Sequence, residues 1–160
     1  MNRVYDSIGD YASVLKSGCP LVGLDVGTKT IGIAISDGLR LAATPLQTVN
    51  RKKFQADARI ILEIADNRSA GGFVIGLPMN MNGTEGPRCQ SVRAFAAKFS
   101  ELTDLPSAFW DERLSSVAAE RTLIDAGASR KKRKGVINHV AASLILQGAL
   151  DRLRQPDLRQ

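Results

Sequence analysis

The sequence has few cysteines and histidines and lacks the long apolar run of a membrane span. Its 160 residues include two cysteines and one histidine. Cys19 and Cys89 lie far apart, without a Cys-x-x-Cys motif or a cysteine–histidine cluster, which argues against a disulfide framework or zinc site and predicts ordinary reduced thiols. No apolar run approaches the ~18 residues that a spanning helix requires. We therefore expect a cytoplasmic protein with no membrane partner.

The length and charge of the chain indicate one compact domain with an anionic partner. With 160 residues, of which 44% are hydrophobic, the chain is long enough for one compact core and too short for two ordinary domains. Lysine and arginine total 22 against 16 aspartates and glutamates, a formal net charge of +6. This excess of positive charge favours nucleic acid as the partner. The alternative is a soluble protein that is basic without binding nucleic acid.

The apolar pattern predicts a sheet covered by helices. Three short strands are expected at 21–25, 30–36 and 41–49, with glycine-containing turns between them, which is typical of an antiparallel meander. Two more strands are expected at 73–77 and 107–110, each after an amphipathic helix, at 53–68 and 85–99. Strand-helix-strand connections make these later strands parallel to the first, so we expect an α/β fold with a mixed sheet.

The two ends of the chain have weaker patterns. Apolar residues at positions 4, 8, 11 and 15 have helical spacing, so residues 1–18 are expected to form an N-terminal extension, either a short helix or a disordered arm. Helices are expected at 114–126 and 137–153, with a flexible basic loop at 127–135 between them. The compact domain is then expected to span residues 19–154, followed by a C-terminal tail at 155–160.

Acidic residues follow two of the predicted strands. Asp25 ends the first strand, Asp111 and Glu112 follow the last, and the turn Gly76-Leu77-Pro78 follows the strand between them. Sites in such sheets lie beyond the carboxyl ends of parallel strands, so these segments should converge on one edge. Carboxylates from different strands in a basic protein can hold Mg²⁺ or Mn²⁺ against a phosphodiester. Taken alone, each acid could equally be a turn residue or a solvated strand end.

Cations near these acids are candidates for binding a phosphate backbone. Lys29 lies in the turn after the first strand, and Arg113 follows the acidic pair. Lys29 is either a phosphate contact or an ordinary exposed turn lysine. Five consecutive cations repel one another, so such a run is expected to stay mobile until an anion binds. A solvated charge run and a localisation signal are the alternative interpretations. The run consists of Arg130, Lys131, Lys132, Arg133 and Lys134.

Four motifs occur in order between Leu21 and Leu153: LDVGTKTIGIAISD, GLPMNMNGTEGP, WDERLSS and KKRKGVINHVAASLILQ. Together they resemble the YqgF/RuvX family of Holliday-junction-resolvase-like proteins. The resemblance implies a ribonuclease-H-like α/β fold, here with a mixed five-stranded sheet and helices on both faces. It also implies a nuclease that uses Mg²⁺ or Mn²⁺ and processes the 5′ end of pre-16S rRNA, while some family members are linked to junction resolution.

The resemblance implies a three-residue catalytic site with one departure from the family pattern. The first family acid corresponds to Asp25, and the second to the pair in WDERLSS, where Glu112 is favoured over Asp111 as the catalytic residue and both are expected to bind metal with Asp25. The third family acid opens the last helix, and this sequence has Asn138 there. Asparagine keeps one ligand oxygen but loses the charge, so we expect a weakened or inactive nuclease.

Other functions fit parts of the same sequence. One alternative is an RNA- or DNA-binding module that does not cleave, which Asn138 favours and the acids Asp25 and Glu112 oppose. Another is a Holliday junction resolvase, which would act as a dimer. Asp25-Val26-Gly27-Thr28 also resembles the phosphate loop of actin-like ATPases, but those proteins need two such domains and this chain supplies one. We expect precursor rRNA as the partner, with junction DNA as the alternative, and a monomer or weak homodimer.

Overall fold

The structure, a computed structural model, describes residues 3–114 and 130–156, with side chains described for 3–114 and 139–156. Six strands form one mixed sheet in the order β1-β6-β5-β2-β3-β4. The strands are β1 Val4–Tyr5, β2 Leu21–Val26, β3 Thr30–Ser36, β4 Ala43–Asn50, β5 Gly72–Leu77 and β6 Ser107–Asp111. The predicted meander is confirmed, because β2, β3 and β4 pair antiparallel, and so is the parallel direction of β5 and β6 relative to β2.

The central strands are covered on both faces, which explains their composition. Every residue of β2 and of β5 is buried, so their sequences LVGLDV and GFVIGL are nearly continuous apolar runs and do not alternate. Asp25 is buried as well, but it is the one charged residue in these two strands. The sequence therefore forms a buried parallel pair that carries one carboxylate near its end.

The prediction of five strands was wrong, because the sheet has a sixth strand at its edge. Val4 and Tyr5 pair parallel with Ser107 and Ala108 of β6. A strand of two residues is too short to have a periodicity, and its partner lies about a hundred positions away in the sequence. The helix α1, Ile8–Val14, begins only after Ser7, whose hydroxyl accepts a hydrogen bond from the Asp10 backbone N–H.

Helices cover both faces of the sheet, as predicted. On one face lie α2, Phe54–Asn67, and α3, Pro87–Ser100, which pack a core with Phe73 and Ile75. On the other face lie α1 and α4, Arg130–Leu153, whose core includes Trp110. In the part of the chain that the structure describes, no helix has the length and apolar composition of a membrane span.

The predicted basic loop at 127–135 was wrong over most of its length, because α4 already begins at Arg130. Lysine and arginine are good helix formers, and one glycine inside a helix costs only about 1 kcal/mol, so Gly135 does not end it. The five cations from Arg130 to Lys134 therefore belong to the first turns of α4. The predicted helix at 114–126 and the rest of the predicted loop fall on residues 115–129, outside the described part of the chain.

Candidate functional site

Asp25 is a carboxylate inside the core, on the face of the sheet that α4 covers. Asp25 is 4% exposed to solvent. By strand alternation Gly23 shares this face, and a methyl group at Gly23 would lie 2.7 Å from Cβ of Leu146 and 2.9 Å from the carbonyl oxygen of Ala142. The helix thus lies directly on β2. A carboxylate at this depth is costly unless it is paired, hydrogen-bonded or bound to a metal.

Glu112 reaches the same face over the position of Gly76. It opens a short 3-10 turn, Glu112–Leu114, directly after β6. The register of β5 with its two neighbours puts Gly76 in the strand between Asp25 and β6. A methyl group at Gly76 would lie 2.9 Å from Oε1 of Glu112 and 2.4 Å from Cδ1 of Ile145. The Glu112 carboxylate therefore occupies space that exists because residue 76 has no side chain.

Asp111 lies on the other face and is bound to Arg113. Strand alternation gives it the side of Phe109, which belongs to the core under α2 and α3. Nη2 of Arg113 donates to Oδ2 at 2.7 Å, Nε donates to both carboxylate oxygens, and the Arg113 backbone N–H donates to Oδ1 at 2.9 Å. Partial burial raises the pKa of Asp111, but these hydrogen bonds outweigh it and hold the pKa below its ordinary value. To bind a metal, Asp111 would have to release Arg113.

Arg113 also connects the acidic segment to the loop of the GLPMNMNGTEGP motif. Its Nη1 donates to the carbonyl oxygen of Met81, and its guanidinium covers Gly83, whose φ is +86°. Within the loop, the Asn80 N–H donates to the carbonyl oxygen of Thr84, and the Thr84 hydroxyl donates to Asn82 Oδ1. The loop beyond β5 is thus held in one conformation beside the carboxylates.

The third predicted segment approaches Asp25 through α4. A hydrogen bond of 2.9 Å joins Nδ1 of His139 to Oγ1 of Thr48. Thr48 pairs with Gly32, and Gly32 pairs with Asp25, so these three residues form one row across β4, β3 and β2. Asn138 precedes His139 in α4 and its backbone therefore lies near the level of Asp25. Its side chain, like those of the five cations, is outside the described residues.

Two arginines that the sequence analysis did not select lie at the end of β2. Nη1 of Arg51 donates to the carbonyl oxygen of Gly27 at 2.7 Å, and Nη2 of Arg88 donates to that of Val26 at 3.4 Å. Lys29 is exposed in the same turn. Arg51 follows β4 and has no sequence signal, whereas Arg88 directly follows the GLPMNMNGTEGP motif. The structure thus adds two positive charges against the backbone that directly follows Asp25.

The described donors near Asp25 are oxygen ligands. Within 3–114 and 139–156, no three side chains of histidine, cysteine, aspartate or glutamate form a metal-binding group. Asp25 lies in the strand beside Gly76, and Oε1 of Glu112 lies over Gly76 on the same face. Burial, with the negative charges of Glu85 and Glu112, raises the pKa of Cys89, so this buried thiol stays protonated and is a poor ligand. The charge and hardness of the two acids suit Mg²⁺ or Mn²⁺, which keep several water ligands.

Comparison with known proteins gives this site a context. The sequence pattern of the RuvX family, described as "Holliday junction resolvase", matches residues 20–152. A protein of Ruegeria sp. (strain TM1040) is 58% identical over 151 residues, which are 94% of this chain and 96% of that protein. A protein of Ruegeria pomeroyi is 55% identical over 151 residues, 94% of this chain and 98% of that protein. Both carry the name "Putative pre-16S rRNA nuclease".

The fold resembles a solved resolvase structure. T. thermophilus RuvC in complex with a Holliday junction substrate superposes with a TM-score of 0.53 at 11% sequence identity, covering 85% of this chain and 96% of that chain. This likeness concerns the fold and confirms the ribonuclease-H-like architecture that the four motifs predicted.

Proposed function

The chain belongs to the RuvX family, and we propose that it is a metal-dependent endonuclease that processes the 5′ end of pre-16S rRNA. The placement of Asp25 in the strand beside Gly76 and of Glu112 over Gly76, on the face that α4 covers, carries this proposal. The names of the two Ruegeria proteins support the choice of substrate. The family description makes junction DNA the alternative substrate, and we expect a monomer or weak homodimer in the cytoplasm.

Asp25 and Glu112 would hold the metal, with the amide oxygen of Asn138 as the third ligand by residue type. A divalent cation bound there supplies the positive charge that phosphodiester hydrolysis requires at the scissile phosphate. The missing side chain at Gly76 supports this assignment, because it leaves room for a carboxylate beside β5. We assign to Asp111 the task of orienting Arg113, since all its described hydrogen bonds are to that residue.

The cations would hold the substrate and leave the metal to the acids. Arg51 and Arg88 fix the backbone after Asp25, and Lys29 is exposed beside them. Such cations bind phosphate oxygens and position a strand without reading its sequence. Arg113 is expected to contribute from the loop side. The basic first turns of α4, residues 130–134, are expected to extend this contact along the strand.

A cleavage assay tests this proposal. A labelled RNA that spans the 5′ end of mature 16S rRNA is incubated with the protein and Mn²⁺, and Mn²⁺ affinity is measured separately by calorimetry. We expect Asp25→Asn and Glu112→Gln each to reduce both cleavage and Mn²⁺ affinity by more than the roughly 10- to 100-fold that loss of an outer-shell partner costs. Asp104→Asn is the control, because the Asp104 side chain is 98% exposed and its ion pair among the described residues is with Arg3. Cleavage that persists unchanged in Asp25→Asn would refute the assignment.

Asn138 favours a second function, a non-cleaving RNA-binding module. Replacing Asn138 with aspartate restores a charged ligand, so Asn138→Asp should raise Mn²⁺ affinity and cleavage, whereas Asn138→Ala should raise neither. If the unmodified protein binds the RNA without cutting and Asn138→Asp cuts it, the binding module is the natural function. If Asn138→Asp changes neither Mn²⁺ affinity nor cleavage, the idea that Asn138 weakens the site is wrong.

A further inference from the structure

A cavity of about 590 Å³ lies far from the candidate active site, between α1, the turn from β3 to β4 and the end of α4. Leu153 lines it, and this residue is fourteen positions beyond His139 in α4, about 21 Å along the helix axis at 1.5 Å per residue. Several of its walls come from residues 9–18, which precede the segment that matches the RuvX family pattern. The N-terminal extension therefore supplies part of the cavity wall from outside the segment that matches the family pattern.

Two arginines line the cavity: Arg154 is paired with Asp151, whereas Arg40 has no acidic partner among the described residues. No described lining residue is acidic. Arg40 donates from Nε to the carbonyl oxygen of Cys19 at 2.9 Å and from Nη2 to that of Lys16, and among the described residues its Nη1 has no partner. The nearby carboxylate of Asp37 accepts instead from the backbone N–H groups of Leu41 and Ala42.

The two arginines are held in fixed orientations. Two carbonyl groups anchor the Arg40 side chain, and its backbone has φ of +58°, a conformation uncommon for residues other than glycine, asparagine and aspartate. Arg154 donates from Nη1 to the carbonyl oxygens of Arg40 and Leu41, and from Nη2 to Asp151. Neutral carbonyl partners leave the charge of Arg40 uncompensated. Such a guanidinium is ready to bind an anion at little cost in side-chain entropy.

The rest of the lining sets the kind of anion. Leu15, Leu39 and Leu153 supply apolar surface, and the small residues Gly9 and Ala12 leave room for a ring. A volume of about 590 Å³ exceeds the needs of a bare inorganic anion and falls within the usual range for organic ligands. We propose that this cavity binds a nucleotide, with its phosphate at Arg40 and Arg154 and its base among the leucines, separately from the candidate cleavage site.

Binding measurements with two probes test the proposal and distinguish a free nucleotide from an RNA strand. Adenosine 5′-monophosphate and a labelled penta-adenylate RNA are titrated into the full chain in EDTA, which prevents metal binding at Asp25. The test variant is Leu39→Glu, which puts a negative charge at the mouth of the cavity on a side chain that is 76% exposed. The matched control is Leu41→Glu, since Leu41 is 53% exposed two positions away and does not line the cavity.

We expect Leu39→Glu to weaken probe binding at least tenfold and Leu41→Glu to change it less than twofold. Weakening confined to adenosine 5′-monophosphate supports a free nucleotide as the ligand, and weakening for both probes supports an RNA strand. Arg40→Gln should weaken binding of the same probe. A thermal melt shows whether that variant still folds. If neither probe binds, or if both glutamate variants weaken binding equally, the proposal is wrong. Neither outcome depends on cleavage activity, so the proposed nuclease function stands or falls separately.

Discussion

Gly76 is the residue on which the geometry of the two carboxylates depends. A methyl group there would come within 2.4 Å of Cδ1 of Ile145 and 2.9 Å of Oε1 of Glu112. We therefore expect Gly76→Ala to overpack the site, to lower the free energy of unfolding by about 1–3 kcal/mol and to displace Glu112. Urea unfolding measures the loss of stability. A displaced Glu112 should weaken Mn²⁺ binding, which calorimetric titration measures.

Gly72→Ala is a matched control for this substitution. A methyl group at Gly72 would lie 2.5 Å from the hydroxyl of Tyr11, in the same strand as Gly76 but at its opposite end, away from the carboxylates. It should also destabilise the fold, yet leave Mn²⁺ affinity unchanged. Equal Mn²⁺ affinities for the two alanine variants would show that Gly76 does not shape the metal site.

At the scale of the element, the loop at 78–86 depends on one arginine. Arg113 contacts Asp111, Met81 and Gly83, so it joins the end of β6 to the loop that follows β5. A single exposed ion pair contributes little to stability, but this one is a fork with several donors and a backbone contact. We interpret Arg113 as the residue that keeps the loop beside the acids.

The pKa of Asp111 reports on this contact. Because hydrogen bonds from Arg113 lower that pKa in the folded protein, the ionised carboxylate stabilises the fold above its unfolded value of about 3.9, and this stabilisation is lost as pH falls through the lower folded value. In Arg113→Ala the pKa should rise, and unfolding free energy should depend less on pH below about 4. Carboxyl NMR titration measures the pKa. Arg88→Ala, which removes an arginine bonded to a carbonyl group, should leave the Asp111 pKa unchanged.

At the scale of the whole molecule, the N-terminal extension is part of the packed structure. Tyr11 is fully buried, and its hydroxyl donates to the carbonyl oxygen of Phe73 in β5 at 2.7 Å. A methyl group at Gly72 would lie 2.5 Å from that hydroxyl, so β5 carries a glycine where the tyrosine crosses it. The extension thus contacts a central strand of the sheet.

Removal of residues 1–16 should therefore destabilise the domain. The loss of one fully buried aromatic side chain costs about 3–5 kcal/mol, and β1 also leaves the edge of the sheet. Tyr11→Phe, which keeps the ring and removes the hydroxyl, should cost about 1–3 kcal/mol because the buried carbonyl group of Phe73 loses its partner. Thermal and urea unfolding measure both variants. An unchanged unfolding midpoint after truncation would mean that the extension does not stabilise the domain.

Local pattern was sufficient to predict most of the sheet. The strand 30–36 was predicted with the bounds that β3 has, and β2 and β5 differ from prediction by one residue at one end. Buried strands and amphipathic helices have patterns that repeat within a few residues, so a short window contains the information. By contrast, β1 has two residues and a distant partner, and the start of α4 depended on how far a helix extends into a run of cations.

For the candidate site, the sequence by itself determined which acids stand at strand ends and that residue 138 of the last helix is an asparagine. The tertiary structure decided which carboxylates can meet: Glu112 shares the face of Asp25, while Asp111 points to the other side and is bound to Arg113. It also decided that Arg51 and Arg88 flank the end of β2. The physical reason is that residue type and order along the chain are local properties. Contact between residues from different segments depends instead on strand register, on face alternation and on the space that a glycine leaves open.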